Sequence, residues 1–514
     1  MQQSIDFTLT VLEWLTTIFI FAVGVGLLVV IVIYIIDVTQ TKSTVRRNFP
    51  VVGRFRYLFE HLGEFFRQYF FAMDREEMPF NRAQRSWAYR AAKGVDNTIA
   101  FGSTMNLTVP GTPIFVNCPY PMLDTEAAET EPMTIGPYAR RPYAAPSLFN
   151  VSAMSFGALS KPAVLALSKG SKLAGNWLNT GEGGLSPWHL EGGCDIVFQI
   201  GTAKYGVRDH DGNLSDDKLR EVGETEQVRM IELKLSQGAK PGKGGILPGQ
   251  KVTAEIAGIR GIPEGQDSIS PNRHPDIDSA ADLLDMLNHI RDVSGLPVGF
   301  KSVIGAYGWL EELFEDINRR GIESAPDFIT IDSGDGGTGA APMPLMDSVG
   351  LPVRESLPLV IDLLHKHGLR DRIRVISSGK LITPTAAAWA LCVGADFVNS
   401  ARGFMFALGC IQALQCNKNT CPTGVTTHDK KLQRGLVPED KAERVARYSR
   451  SMRKEVGIIA HSCGVREPRQ LRRYHCRMVV DDCRSVPLDE LYPEHVNGPL
   501  GTKPEPANIV PGQA

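Results

Sequence analysis

A chain of 514 residues has room for about two to four domains, or for one large α/β barrel with extensions. With 43% hydrophobic and 22% charged residues it has the composition of a globular enzyme that buries a large core. A formal net charge of −2 gives no electrostatic reason to expect a nucleic-acid partner.

The first element departs from a soluble protein. No charged residue occurs from Trp14 to Ile36, and Ile18 to Ile36 is almost wholly apolar. Such a run crosses the hydrocarbon core of a bilayer, with Trp14 and Tyr34 near its ends where interfacial aromatics belong. A cleaved signal peptide fits poorly: no basic residue precedes the run, it is too long, and no small-residue cleavage site follows. A buried core helix is the other alternative, although such helices are seldom apolar on every side. Asp6 and Glu13 precede the span, and Lys42, Arg46, Arg47, Arg54 and Arg56 follow it. The positive-inside rule then places the N-terminus outside and the rest in the cytoplasm. The expectation is a single-pass membrane anchor over residues 1–40.

Residues 41–95 mix basic and aromatic side chains, as in Arg54-Phe55-Arg56-Tyr57-Leu58-Phe59. They read either as an amphipathic helix on the membrane surface or as packing against the catalytic domain. Residues 105–146 are rich in proline without clear periodicity and read as a lead-in that wraps the core. From residue 147 short apolar runs alternate with helix-like stretches. The runs are Ser147–Met154, Gly175–Thr180, Asp195–Ile200, Met230–Leu235, Pro297–Val303, Asp327–Asp332, Arg372–Ser377 and Asp396–Ser400. The helix-like stretches are Lys161–Leu173, Val252–Ile259, Ser279–Val293, Trp309–Arg319, Val353–His367 and Thr383–Val393. Thr383-Pro384 and Asp278-Ser279 carry helix-start signals. Alternating strand and helix implies a parallel sheet, and eight strands over about 250 residues predict a (β/α)8 TIM barrel.

Glycine-rich polar segments follow most of the strands: Asn179–Gly184, Gln237–Gly245, Asp332–Gly339, Ser377–Lys380 and Ala401–Gly403. Strand C-terminal ends form the catalytic face of such a barrel, and glycine there lets backbone N–H groups approach an anion. No GxGxxG opens a helix, so a Rossmann nicotinamide domain is not indicated.

Near the end of the barrel region, Cys410, Cys416 and Cys421 are spaced C-x5-C-x4-C and followed by Pro422. Zinc sites usually show CxxC pairs and a fourth ligand, neither of which is obvious. Three local thiolates fit an iron–sulfur cluster with one corner missing, [3Fe–4S]. The alternative is three buried free cysteines in a helix. The other cysteines (Cys118, Cys194, Cys392, Cys463, Cys476, Cys483) show no disulfide-framework spacing, which suits a reducing compartment.

These residues resemble the synthase domain of glutamate synthases, an FMN-binding (β/α)8 barrel. The match runs through Asn150–Ser160, Asn179–Gly184, Gln237–Gly249, Ile269-Ser270-Pro271, Ser333–Ala341 and the cysteine clip, covering roughly residues 95–465. The resemblance implies a [3Fe–4S] cluster on Cys410, Cys416 and Cys421. It implies domains at 96–480 (barrel with clip) and 481–514 (C-terminal tail), after the anchor and the 41–95 segment. Two departures bear on function. Complete large subunits of the family open with a glutaminase domain whose N-terminal cysteine hydrolyses glutamine, whereas here no cysteine precedes Cys118. Little chain remains for the family's C-terminal β-helix domain. Where many relatives carry Gly-Gly after strand seven, this chain has Ser377-Ser378-Gly379-Lys380, still expected to bind phosphate.

The implied reaction is reduction of 2-iminoglutarate, formed from 2-oxoglutarate and ammonia, to L-glutamate by reduced FMN. Lys301 suits the pyrimidine edge of the flavin, the alternative being a structural lysine facing a carboxylate. Gln199 is a hydrogen-bonding partner for the ring, and Met154 and Ser155 would hold its edge. Ser152, Ser333, Asp335, Gly336, Gly337, Ser378, Gly379, Arg402 and Gly403 complete the expected FMN set. Lys240 and Arg260 match the family positions that grip 2-oxoglutarate. Lys243 and Arg273 are lesser helpers or solvated surface residues. Glu182 either relays protons to the imine nitrogen or braces its own loop. His189, His274 and His428 are not assigned as ligands. Ammonia would be free or supplied by a partner, and electrons would come from ferredoxin or a separate reductase subunit. A second reading keeps the cofactors but reverses the flow, giving an FMN dehydrogenase of an amino acid that feeds a membrane acceptor. A third is a non-catalytic membrane subunit. Hydroxy-acid oxidases and diphosphate isomerases fit the fold without explaining the three cysteines.

Overall fold

A computed structural model of the chain describes residues 2–481 and 484–493. The chain divides after Ala83 into two compact units. The first opens with helix Gln2–Thr39, whose apolar stretch Asp6–Thr39 is long enough to cross a membrane by length and composition. At about 1.5 Å per residue its 34 residues span roughly 50 Å, more than the ~30 Å hydrocarbon core. Thr10, Thr16 and Thr17 return their hydroxyls to carbonyls four residues back at 2.9, 2.7 and 2.8 Å, which satisfies these three donors within the helix. Asp37, fully buried, ends the stretch. It accepts from Arg54 Nη2 at 2.8 Å and from the Val51 amide at 3.1 Å. The basic and aromatic segment then forms short helix Thr44–Asn48 and helix Gly53–Phe66, which runs on into a π-helical turn, Arg67–Phe71.

The second unit is built on eight parallel strands closed into a barrel. They are β1 Phe149–Val151, β2 Leu178–Asn179, β3 Ile196–Ile200, β4 Val228–Lys234, β5 Val298–Val303, β6 Phe328–Asp332, β7 Arg374–Ser378 and β8 Phe397–Ser400. β8 returns to β1 with Val398 opposite Phe149 and Ser400 opposite Val151, so no strand edge is left open. Both faces of these strands are covered, which is why they read as continuous apolar runs without a period of two. All eight expected strands and all six expected helices are present, within a few residues at their ends.

Local chemistry sets the helix limits. Ser160 caps Lys161–Ala174 by accepting from the Ala163 amide at 3.3 Å, and Gly175 closes it in the left-handed region at φ 73°. Ser279 caps Ala280–Ser294 in the same way. Thr383 stands at the N-cap of Pro384–Val393 but makes no capping bond with its side chain.

The region 105–146 is less irregular than its sequence implies. Met133–Ile135 and Tyr143–Ala145 pair as an antiparallel hairpin. Ile135, Tyr143 and Ala145 pack with Trp177, Val197, Met230, Phe328, Ile376 and Phe397 to fill the barrel's N-terminal end. Three-residue strands are too short to show a period of two, so the sequence carries no signal for them.

After the barrel, helix Pro438–Ser462 lies on Lys161–Ala174. A Cβ on Gly170 would fall 2.5 Å from Val445 Cγ1, so only glycine permits this approach. Cys476–Asp481 pairs with Pro113–Phe115 on one side and Arg484–Pro487 on the other. Of the segment read as a tail, residues 484–493 add that last strand and a short helix. Residues 482, 483 (hence Cys483) and 494–514 lie outside the described residues.

Candidate active site

The C-terminal ends of the strands open into two adjoining cavities. The larger, a cleft of about 1030 Å³ open to solvent, brings together Met154, Ser155, Glu182, Lys240, Arg260 and Cys416. The smaller, about 540 Å³, is lined by Ser152, Lys301, Ser378, Gly379, Lys380 and Asn399. Gln199, Lys234, Gly337 and Arg402 line both. Ser333, Asp335, Gly336 and Gly403 line neither: Ser333 backs Gly379, and Gly403 lies under the Tyr448 hydroxyl.

Strand register places the charges. Lys234 ends β4 and stands directly across from Lys301 on β5. Two neighbouring ammonium groups need carboxylates, and each has one. Lys301 Nζ lies 3.0 Å from Asp332 Oδ2, and Lys234 Nζ lies 2.8 Å from Glu182 Oε2. Burial opposes the charge on Lys301, but Asp332 and Glu232 outweigh it and hold its pKa above the usual lysine value. Burial likewise penalises the Glu182 carboxylate. Lys234, with Lys240 and Arg260 behind it, reverses that and keeps Glu182 below the ordinary range. Lys234 also donates to Gln237 Oε1 at 2.6 Å.

Lys240 has no carboxylate of its own. Its Nζ is 3.5 Å from the Gly244 carbonyl, and burial, reinforced by Lys234, lowers it to about 8. Arg260 donates to Ser268 Oγ and to the Phe156 carbonyl, both at 3.3 Å, while its Nε is buried without a partner among the described residues. A cation of pKa near 8 and a guanidinium with a spare donor suit the carboxylates of an incoming ligand. Lys240 is charged below pH about 8 and neutral above it. The KM for a dicarboxylate substrate is therefore expected to rise about tenfold per pH unit above that point, read from initial rates between pH 7 and 10. Arg273 pairs with Asp278 at 2.6 Å on the surface, and Lys243 is exposed.

The smaller cavity is lined by groups of the kind a flavin phosphate and its sugar-alcohol chain would need. Lys301, Lys380 and Arg402 supply positive charge, and Asn399 Oδ1 is a buried acceptor with no partner among the described residues, suited to a hydroxyl-bearing chain. Lys380 is 3.2 Å from Asp335 Oδ2, and Asp335 also accepts from the Ser333 hydroxyl, so Asp335 orders its own turn. Gly379 has φ 123°, and a Cβ there would lie 2.2 Å from Ser333 Cβ. Gly379→Ala is expected to cost roughly 1–3 kcal/mol of stability in urea unfolding and to weaken FMN retention, because the turn must move away from Ser333.

The cysteines are not in a helix. Helix Arg402–Leu408 stops at Gly409, and residues 410–429 form an irregular loop. Gln412, Leu414 and Asn419 adopt positive φ there (60°, 54° and 58°), a winding that costs energy in non-glycine residues. Tyr89 Oη donates to the Cys410 carbonyl at 2.6 Å, and Lys251 Nζ ties the Cys416 carbonyl (3.3 Å) to that of Ala158 (2.9 Å). Arg402 Nη1 is 3.9 Å from Cys416 Sγ, and Thr423 Oγ1 is 3.4 Å from Cys421 Sγ. Burial raises the Cys410 thiol. At Cys421 burial acts the same way but is outweighed by hydrogen bonds from Thr423 and Thr426, so that thiol is lowered. Among the described residues no three Cys, His, Asp or Glu side chains converge on one metal ion. A single ion needs its thiolates at about 2.3 Å. An iron–sulfur cluster takes each thiolate on a separate iron and so spreads them. Lys251 and Arg402 bring two cations to this loop, at the Cys416 carbonyl and the Cys416 thiol.

The histidines brace the mouth. His189, His274 and His428 direct Nε2 at the carbonyls of Met154 (3.4 Å), Lys234 (3.0 Å) and Gly157 (2.8 Å). Burial lowers each to about 4, so all three are neutral at pH 7. Sequence reasoning missed Lys234, Lys251, Glu232 and Asp332. Glu232 and Lys234 lie two apart on a strand buried on both faces, so they share its inward side, which is a signal the sequence does contain.

The conserved region of glutamate synthase matches residues 122–466. The chain is 39% identical over 503 residues to the glutamate synthase large subunit-like protein YerD of Bacillus subtilis strain 168, covering 90% of this chain and 95% of that one. It is 34% identical over 330 residues to the archaeal-type glutamate synthase (NADPH) of Dehalococcoides mccartyi, covering 64% of this chain and 63% of that one. With the archaeal glutamate synthase (NADPH) of Methanocaldococcus jannaschii it shares 33% over 351 residues, 66% and 62% of the two chains. The match thus spans less than two thirds of the length of these last two relatives.

Proposed function

This chain belongs to the glutamate synthase family, and from that premise we propose that it reductively aminates 2-oxoglutarate to L-glutamate through 2-iminoglutarate, using FMN and a [3Fe–4S] cluster. The observation that carries the reading is the cleft in which Lys234, Lys240 and Arg260 surround the single carboxylate of Glu182, beside a cavity fitted to a flavin. When bound, FMN would supply the hydride to the imine carbon. Arg260 and Lys240 bind the two carboxylates of the substrate and so fix which face it presents. Glu182 is held through Oε2 by Lys234, which leaves Oε1 to hold or move a proton at the imine nitrogen. Lys301, on the adjoining strand, would place positive charge at the pyrimidine edge of the flavin, and Gln199 would orient the ring. Cys410, Cys416 and Cys421 would hold the cluster, with Arg402 and Lys251 balancing its charge.

In this reading residues 14–36 anchor the chain in a membrane as a single pass, with the barrel (96–480) on the cytoplasmic side. The nitrogen is ammonia, free or handed over by a partner, and the electrons come from ferredoxin or a separate reductase. The test uses detergent-purified protein, reduced anaerobically and mixed with 2-oxoglutarate and ammonium while flavin absorbance is followed. Flavin reoxidation with glutamate appearing supports the proposal. Retention of both cofactors with no reoxidation by either free ammonium or a glutaminase-supplied source overturns it. The long apolar helix favours one second reading, a dehydrogenase feeding a membrane acceptor. Reduction of the oxidised flavin by an amino acid, with onward transfer to a quinone, would mark that outcome.

A further inference from the structure

The group that organises the mouth of the barrel touches neither cavity. Glu232, 1% exposed, stands on β4 directly across from Gln199 on β3. Its Oε1 accepts from Gln199 Nε2 at 2.6 Å and from Asn179 Nδ2 at 2.8 Å, and its Oε2 accepts from Thr330 Oγ1 at 2.6 Å. One carboxylate therefore links β2, β3, β4 and β6 across the inside of the barrel.

The two amides it holds both lead to the site. A carboxylate only accepts, so Gln199 must turn its nitrogen towards Glu232, and its carbonyl oxygen is the end left to the cavities it lines. Asn179 is oriented likewise: with Nδ2 on Glu232, its Oδ1 accepts from the Gly181 amide at 3.0 Å. That bond fixes the turn carrying Glu182, whose Oε2 meets Lys234 two residues along from Glu232 on the same strand. With an uncharged amide at 232, Asn179 would still be turned by the Gly181 amide, but nothing would fix which end of Gln199 faces the cavities.

We propose that Glu232 is a positioning residue that fixes the polarity of Gln199, so that a bound flavin meets a carbonyl acceptor there, and that seats the Gly181–Glu182 turn through Asn179. The proposal rests on the FMN reading above and goes beyond it by naming the residue that sets the ring's hydrogen-bonding partner. The experiment uses the full-length holoprotein and the variants Glu232→Gln, Gln199→Leu and the double variant. FMN affinity is read from the fluorescence of released flavin, alongside the visible spectrum and the Tm. Each single variant is expected to weaken FMN binding about tenfold, the worth of one strong buried hydrogen bond. The double variant is expected to bind FMN only a little more weakly than Gln199→Leu, far short of the product of the two single effects, because Glu232 acts on the flavin chiefly through Gln199 and only secondarily through the charge it supports on Lys301.

A double variant weakened by the product of the two effects overturns the proposal. So does an E232Q protein with a lower Tm and unchanged flavin affinity, which is what a purely structural role predicts. If E232Q does not fold, Glu232→Asp takes its place under the same criteria, since it keeps the charge but withdraws the oxygens by one methylene. Wild-type protein that takes up no FMN after reconstitution would instead bring down the FMN reading, and this proposal with it.

Discussion

Changing Cys421 to serine is expected to remove the iron–sulfur centre, with iron falling from about three atoms per chain to near zero and the broad visible absorbance lost. The substitution is nearly isosteric, so the loop keeps its shape and the loss reports the ligand. Cys421 is the informative position because Thr423 and Thr426 already favour its thiolate, whereas burial disfavours that of Cys410. Cys392→Ser is the control, since Cys392 is buried in helix Pro384–Val393, outside the cysteine loop. Iron content unchanged in C421S and lost in C392S would remove the cysteine loop as the ligand set. FMN content should survive C421S, because Cys421 lines neither cavity.

Glu182→Gln should lower kcat by roughly 10²- to 10⁴-fold, the range for a positioned proton-transfer group, with a much smaller change in the KM for 2-oxoglutarate. The alternative, that Glu182 only braces its turn, predicts a different pattern. Its closeness to Gly201 and Gly245 would then dominate: a Cβ on either glycine would lie 2.6 and 2.5 Å from Glu182 atoms, so the side chain is tightly seated. A brace lost to glutamine should lower Tm and raise KM and leave kcat within about tenfold. Losing the carboxylate also strands Lys234 beside Lys301 with one partner fewer, so some loss of stability accompanies either outcome. The split between kcat and KM separates the two readings.

The barrel was legible because its strands are buried on both faces and its loops are marked by glycine. Each strand therefore appears as an apolar run ending in a turn signal, and the eight recur in order. That Lys240 and Arg260 would meet in one cleft was legible only through resemblance, since nothing in either segment alone separates a buried cleft cation from a surface one. Lys234, Glu232 and Asp332 escaped because their importance lies in register. Lys234 matters by standing across from Lys301, and Glu232 by standing across from Gln199, and no single segment shows which residue its neighbour will face. Helix Pro438–Ser462 and the hairpin at the barrel floor escaped for a different reason. The helix follows a long irregular stretch, and strands of three residues leave no period to read.

The register that sets Lys234 beside Lys301 also affects how a ligand arrives. Lys240, Arg260, Lys251 and Arg402 crowd the same opening, and the carboxylates there are fewer than the cations, in a chain whose formal charge is −2. The opening is thus a positive spot on a slightly negative molecule, recessed between low-dielectric walls that focus its field. A doubly charged dicarboxylate such as the proposed substrate would be drawn in over about a Debye length, some 10 Å at 0.1 M salt, before it touched a side chain. Added salt shortens that reach and slows the encounter, while the buried pairs that hold the site together are screened far less.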